Sequence, residues 1–144
     1  MEDDLFHTHA KKLFSDIHTG KKRAFTSVST LEELAHVVLL RRIQSEYNEH
    51  PKEVLRKNPE VVGMYAPLIE DMFTVIFSFA NLELVDTTQG DISYIPAFMK
   101  QNFLLSQDAL HLATMKRFSC TTLVSTDSDF DEIEGIKRIP LDKW

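Results

Sequence analysis

Cys120 is the single cysteine of the chain, so no internal disulfide can staple the fold. That suits a reducing compartment, and a cytoplasmic location is the expectation. Between a helix and a strand, Cys120 reads as a small packed hydrophobe rather than a reactive thiol. Glycine is scarce, with four in 144 residues, and no glycine-rich nucleotide-binding loop can be found. No apolar run approaches the roughly 20 residues that a membrane span needs. No basic-then-apolar leader is present, so neither secretion nor membrane insertion is indicated. Positive charge is also in deficit. Sixteen Lys and Arg face 22 Asp and Glu, for a net charge of −6. That argues against broad, charge-driven nucleic-acid binding. It leaves room for a local basic strip beside an acidic site whose charge is cancelled by divalent ions. Internal repeats and low-complexity segments are absent.

What remains is the composition of a folded domain. Hydrophobic residues make up 43% and include ten Phe. The length predicts one domain over 1–144, enough to bury a sizeable core.

Along the chain, Phe6, Ala10, Leu13, Phe14 and Ile17 form an apolar stripe at helical spacing, predicting an amphipathic helix over 4–19 stopped by Gly20. His7 and His9 are two apart, point in different directions and read as surface residues. Residues 23–28 read as a short strand. Ser29 or Thr30 is expected to cap the next helix, with Glu32 or Glu33 closing a capping box. That helix runs to about Glu49, before Pro51. Pro51 and Pro67 suit first helical positions, and Pro59 separates two helical pieces. Leu68, Ile69, Met72, Phe73, Ile76, Phe77, Phe79 and Ala80 are apolar on more than one face, the mark of a buried helix or of one that also meets a partner chain. A strand is predicted over 82–86. A helix opened by Gly90 and Asp91 follows, with Pro96 starting or kinking it, and Ser106 is the expected cap of the next. A short strand over 137–140 closes the chain. Strands alternate with helices, so the class is α/β with a mostly parallel sheet.

The stretch from Asp108 to Gly135 organises the rest. Ala109, Leu110, Ala113 and Met115 can cover the inner face of a short helix. The run 121–125 reads as a buried strand. Asp127 and Asp129 follow it, where open α/β sheets place their ligand sites. If the helix packs beside the strand, these acids and Asp108 share one crevice. Each has a simpler reading: Asp108 as an acid at a helix N-terminus, and Asp127 and Asp129 as turn residues bonding their own backbone.

This stretch resembles the signature of PIN-domain ribonucleases, the fold of VapC-type toxins. The matching residues are Asp108, Ala109, Leu110, His111, Leu112 and Ala113, then Thr126, Asp127, Asp129, Phe130, Gly135 and Ile136. Upstream, Glu33 before Leu34 matches the acid that follows the family's Thr-Ser strand end. The resemblance covers roughly residues 4–140 and is loose over 45–80. It implies a three-layer PIN-like sandwich, with a mostly parallel central sheet flanked by helices. It also implies a metal centre of Glu33, Asp108, Asp127 and Asp129 holding Mg2+ or Mn2+, with Asp129 auxiliary. Thr126 would orient a carboxylate or water. RNA would be the substrate, hydrolysed at its phosphodiesters, with a small antitoxin protein as partner and a homodimer as the assembly. Lys21, Lys22, Arg23, Arg41 and Arg42 are candidates for RNA-backbone contacts, and His111 reads as a packed or edge residue.

PIN domains normally begin with a central hydrophobic strand ending in a further Asp. Nothing before Leu5 resembles it, and Asp3 and Asp4 match instead the turn into the first helix. The first strand is therefore expected to be absent from this chain. It could be encoded just upstream, lost in a degenerate homologue, or supplied by another chain. The leading function is a metal-dependent endoribonuclease, and the runner-up is a PIN-like module that binds RNA or protein and hydrolyses nothing. A sugar-nucleotide enzyme using Asp127 and Asp129 as a metal-binding pair lacks the accompanying glycine-rich loop.

Overall fold

The computed structural model describes residues 2–144, and the side chains of residues 1–6 lie outside that description. The expectations for Asp3, Asp4 and the Phe6 side chain fall there. The element order is α1 (Glu2–His18), β1 (Ala24–Ser27), α2 (Val28–Tyr47), α3 (Pro51–Lys57), α4 (Val61–Phe77), β2 (Leu82–Val85), α5 (Gln89–Asn102), α6 (Ser106–Arg117), β3 (Thr122–Val124) and β4 (Lys137–Ile139), with 3-10 turns at Ser128–Phe130 and Leu141–Lys143.

Helix α1 seats Ile17, 3% exposed, while Phe14 stays at the surface against the Phe79 ring. Gly20 ends the segment with φ +76°, a conformation that L side chains rarely adopt. The strand β1 then feeds α2 with no loop between them. Ser27, not Ser29 or Thr30, is the cap: its hydroxyl accepts the Thr30 N–H at 3.2 Å. Its extended backbone (φ −90°, ψ 156°) lets it end the strand and begin the helix at once. Val28 accordingly leaves the strand for the helix. Pro51 does open α3, where a missing N–H costs nothing. Pro67 lies inside α4 instead of opening it. Thr88 caps α5 in a reciprocal capping box with Asp91. Leu105, not Ser106, is the N-cap residue of α6, and no side chain caps that helix.

All strand pairing is parallel. Ala24 to Ser27 pair with Leu82 to Val85, and Thr122 to Val124 pair with Lys137 to Ile139. The single central sheet expected from the sequence is not formed. Among the described residues there are two separate two-stranded sheets, because β1 pairs only with β2 and β3 only with β4. The helices supply what the short sheets cannot. One core joins α2, α3 and α4 through Ile43, Val54, Val61 and Tyr65. The other joins α6 and the loop after β3 through Leu104, Ala109, Leu112, Phe130 and Ile133, with Ile95 and Phe98 of α5 packed against it. Burying each large aliphatic side chain contributes about 1.5–3 kcal/mol.

A polar tie links the two halves. Asp91 on α5 is 2% exposed. The Arg117 guanidinium at the end of α6 grips it at 2.8 and 2.9 Å and also donates to the Asp86 carbonyl just past β2. The same guanidinium lies over Phe118, whose ring meets Phe25 of β1. Burial alone would push the Asp91 carboxyl up. The hydrogen bonds from Arg117 and Thr88 outweigh it and hold the carboxyl below the usual range.

Replacing Arg117 with Met should destabilise the fold by about 3 kcal/mol in urea titration, since it strands a buried charge. Because the folded Asp91 carboxyl is depressed, its contribution is present above the unfolded value of about 3.9 and lost as pH falls through the folded value. The gap between wild type and variant should therefore close in acid. An undiminished gap there would contradict the ionic tie.

Candidate metal centre

Asp108 is fixed by the packing of its own helix. Ala109 and Leu112 are fully buried and Ala113 is 4% exposed, so α6 cannot rotate without opening the core. Asp108 sits in the first turn, where the N-terminal end of the helix dipole favours an acid.

The loop after β3 is held from both ends. Ser125 donates its N–H to the Ile139 carbonyl at 3.2 Å, and its hydroxyl accepts the Asp127 N–H at 3.0 Å. Asp127 Oδ1 accepts the Asp129 N–H at 2.9 Å, capping the turn Ser128–Phe130. Phe130, 2% exposed, pins that turn into the core. From β4, Arg138 donates to the Ser125 carbonyl at 3.0 Å and grips Asp131 at 2.6 and 2.8 Å. That ion pair holds the Asp131 carboxyl below its usual range. Gly135, at φ +80°, makes the turn into β4.

These anchors bring Asp108, Asp127 and Asp129 together. One carboxylate oxygen from each lies within 4.8 Å of the others. Asp108 and Asp127 are half-buried and Asp129 is exposed. Burial pushes the Asp108 carboxyl up, as does the charge on Asp127. Asp129 and Glu33 add to this and His111 opposes it. Asp127 thus fills both roles weighed for it, bonding its own turn and facing the other acids. Thr126 is exposed, and the neighbouring Ser125 hydroxyl bonds the Asp127 backbone, not its carboxylate.

Glu33 stands apart from these three. It lies in the second turn of α2, half-buried, and its Oε2 is 3.3 Å from His111 Nε2. Glu32 is exposed and lines an apolar groove with Val28, Leu31 and Phe73. Of the four sequence-picked acids, the structure brings three into one cluster and places Glu33 beside His111. Sequence reasoning took His111 as a packed or edge residue, which its partial burial fits, but singled out neither its contact with Glu33 nor the Ser125 bond. His111 carried a usable signal, because three residues after Asp108 it shares that residue's helix face. Its pairing with Glu33 left none, since the two residues lie 78 positions apart. Among the basic candidates, Lys21 pairs with Asp16 at 3.4 Å and Arg42 with Glu46 at 3.7 Å, ordinary surface pairs.

The donor set consists of hard carboxylate oxygens that repel one another until a cation joins them. It fits a hard divalent ion such as Mg2+ or Mn2+.

The PIN-domain family matches residues 1–136. The chain belongs to that family. Two curated relatives are similar to it, VapC ribonuclease Mb1869c of Mycobacterium bovis and ribonuclease VapC13 of Mycobacterium tuberculosis. Each is 26% identical over 130 residues, spanning 90% of this chain and 82% of the relative. No solved structure matches it. No helix among the described residues is long and apolar enough to cross a membrane.

For Asp108→Asn, melting in chelator at neutral pH should show a higher midpoint than wild type. The folded carboxyl is raised, so its charge costs stability above that value, and the cost disappears as pH falls through it. A variant that melts lower at neutral pH would contradict the repulsion.

Proposed function

We propose that this PIN domain, read as one unit over 1–144, is a divalent-metal-dependent endoribonuclease that hydrolyses RNA phosphodiesters. The observation that carries the reading is the convergence of Asp108, Asp127 and Asp129 in a chain of this family. Those three would hold Mg2+ or Mn2+, and Glu33 would join them directly or through water. A bound divalent ion supplies an activated water and offsets charge on the phosphate. The chain's own residues do the rest. Ser125 and Phe130 hold the Asp127 turn in place, and the buried face of α6 fixes Asp108.

By similarity to the VapC ribonucleases, the protein would act as the toxin of a toxin–antitoxin pair, restrained by a small antitoxin. Helix α4 exposes Val62, Met64, Leu68, Val75 and Phe77, each at least 40% exposed, and a homodimer contact there accounts for its apolar surface.

A binding module that hydrolyses nothing is the second reading. It is favoured by the position of Glu33, which is engaged by His111 outside the three-acid cluster.

Incubation with single-stranded RNA distinguishes the two. Cleavage should require Mg2+ or Mn2+ and stop in chelator. Asp108→Asn and Asp127→Asn should each lower the rate about 100-fold or more, since metal chemistry is worth several kcal/mol. RNA that is bound tightly but left intact in excess Mn2+ would establish the binding module instead.

A further inference from the structure

Helix α6 presents two polar side chains one turn apart on the same face, Asp108 and His111. Asp108 enters the acid cluster. His111 reaches across to α2, where its Nε2 lies 3.3 Å from Glu33 Oε2. An ionised carboxylate only accepts hydrogen bonds, so the imidazole must donate from Nε2. The contact is shielded mainly on the His111 side, with the His111 and Glu33 side chains 23% and 37% exposed. No other hydrogen bond to the Glu33 carboxylate is found among the described residues. Without His111 this would be a helix-surface glutamate with several rotamers open to it.

We infer that His111 is a positioning residue, which holds Glu33 beside the Asp108 cluster so that the α2 carboxylate can join a cation bound there. This rests on the metal-centre reading above and extends it to a residue that supplies no ligand atom. Hydrogen bonds that orient a ligating group are worth about 10–100-fold in metal affinity. The bond also ties α6 to α2, so the position of one acid is set by the helix that carries another. The helix that carries Asp108 therefore also sets the geometry of Glu33.

The test is calorimetric titration of the RNA-free protein with Mn2+, using wild type, His111→Phe, His111→Gln, Glu33→Gln and the His111→Phe/Glu33→Gln double variant. His111→Phe should bind Mn2+ about tenfold more weakly, from loss of an orienting partner. His111→Gln, which keeps a donor at similar reach, should restore most of the affinity. The double variant should bind no more weakly than Glu33→Gln alone, because the two residues act through one interaction. His111→Ala serves in place of Phe if the ring does not fit between the helices. Wild-type affinity in His111→Phe, or losses that multiply in the double variant, would overturn the positioning role and leave the metal centre intact. Absence of Mn2+ binding by wild type would remove the metal centre, and the inference with it.

Discussion

The grip of Arg117 on buried Asp91 is the interaction on which the arrangement of the halves depends. A carboxylate 2% exposed is tolerable only when its charge is answered, and Arg117 answers it with two hydrogen bonds. Its remaining donor reaches the Asp86 carbonyl, and its flat face covers Phe118, which meets Phe25. One side chain thereby joins α5, α6, the end of β2 and the side of β1. It works beside helix packing, the His111–Glu33 contact and the Trp144–Asp16 hydrogen bond to join two short parallel pairs that share no strand. Charge-assisted forked bonds have a defined geometry, so the tie fixes orientation as well as distance.

That orientation matters because the acids come from opposite halves. Glu33 follows β1, while Asp127 and Asp129 follow β3. Both groups sit beyond the carboxyl ends of parallel strands, where helices begin and side chains can converge. Asp108, on α6, faces the second group and feels the charge of the first.

The cluster stores unfavourable electrostatics. Three carboxylates within 4.8 Å, one of them pushed toward its neutral form, are held there by packing that pays no regard to their charge. Phe130 is buried and the Ser125 hydroxyl accepts the Asp127 N–H, contacts that involve no carboxylate of the cluster. A set of hard carboxylate oxygens held this close is the kind of donor set that a small, hard cation suits. The acidic balance of the chain adds to this, since a net charge of −6 attracts divalent cations and repels bare RNA.

Local pattern determined much of this protein. The apolar spacing around Ile17, the β-branched run 121–125, the Pro51 start of α3 and the Asp127–Asp129 pair were all legible, because each depends on residues a few positions apart, whereas Asp108 joins that pair only once α6 packs beside the loop after β3. Boundaries were less so: Ser27 capped α2 in place of Ser29 or Thr30, since a strand that runs straight into a helix takes its cap from the last strand residue. Pro67 entered α4 against its local preference, as the burial of Val61 and Tyr65 outweighs one lost hydrogen bond. Tertiary structure alone decided that the strands form two pairs rather than one sheet, that Arg117 reaches Asp86, and that Glu33 meets His111. Those contacts join residues 31 and 78 positions apart. Nothing in local spacing encodes them, because they exist only once hydrophobic packing has set the helices side by side.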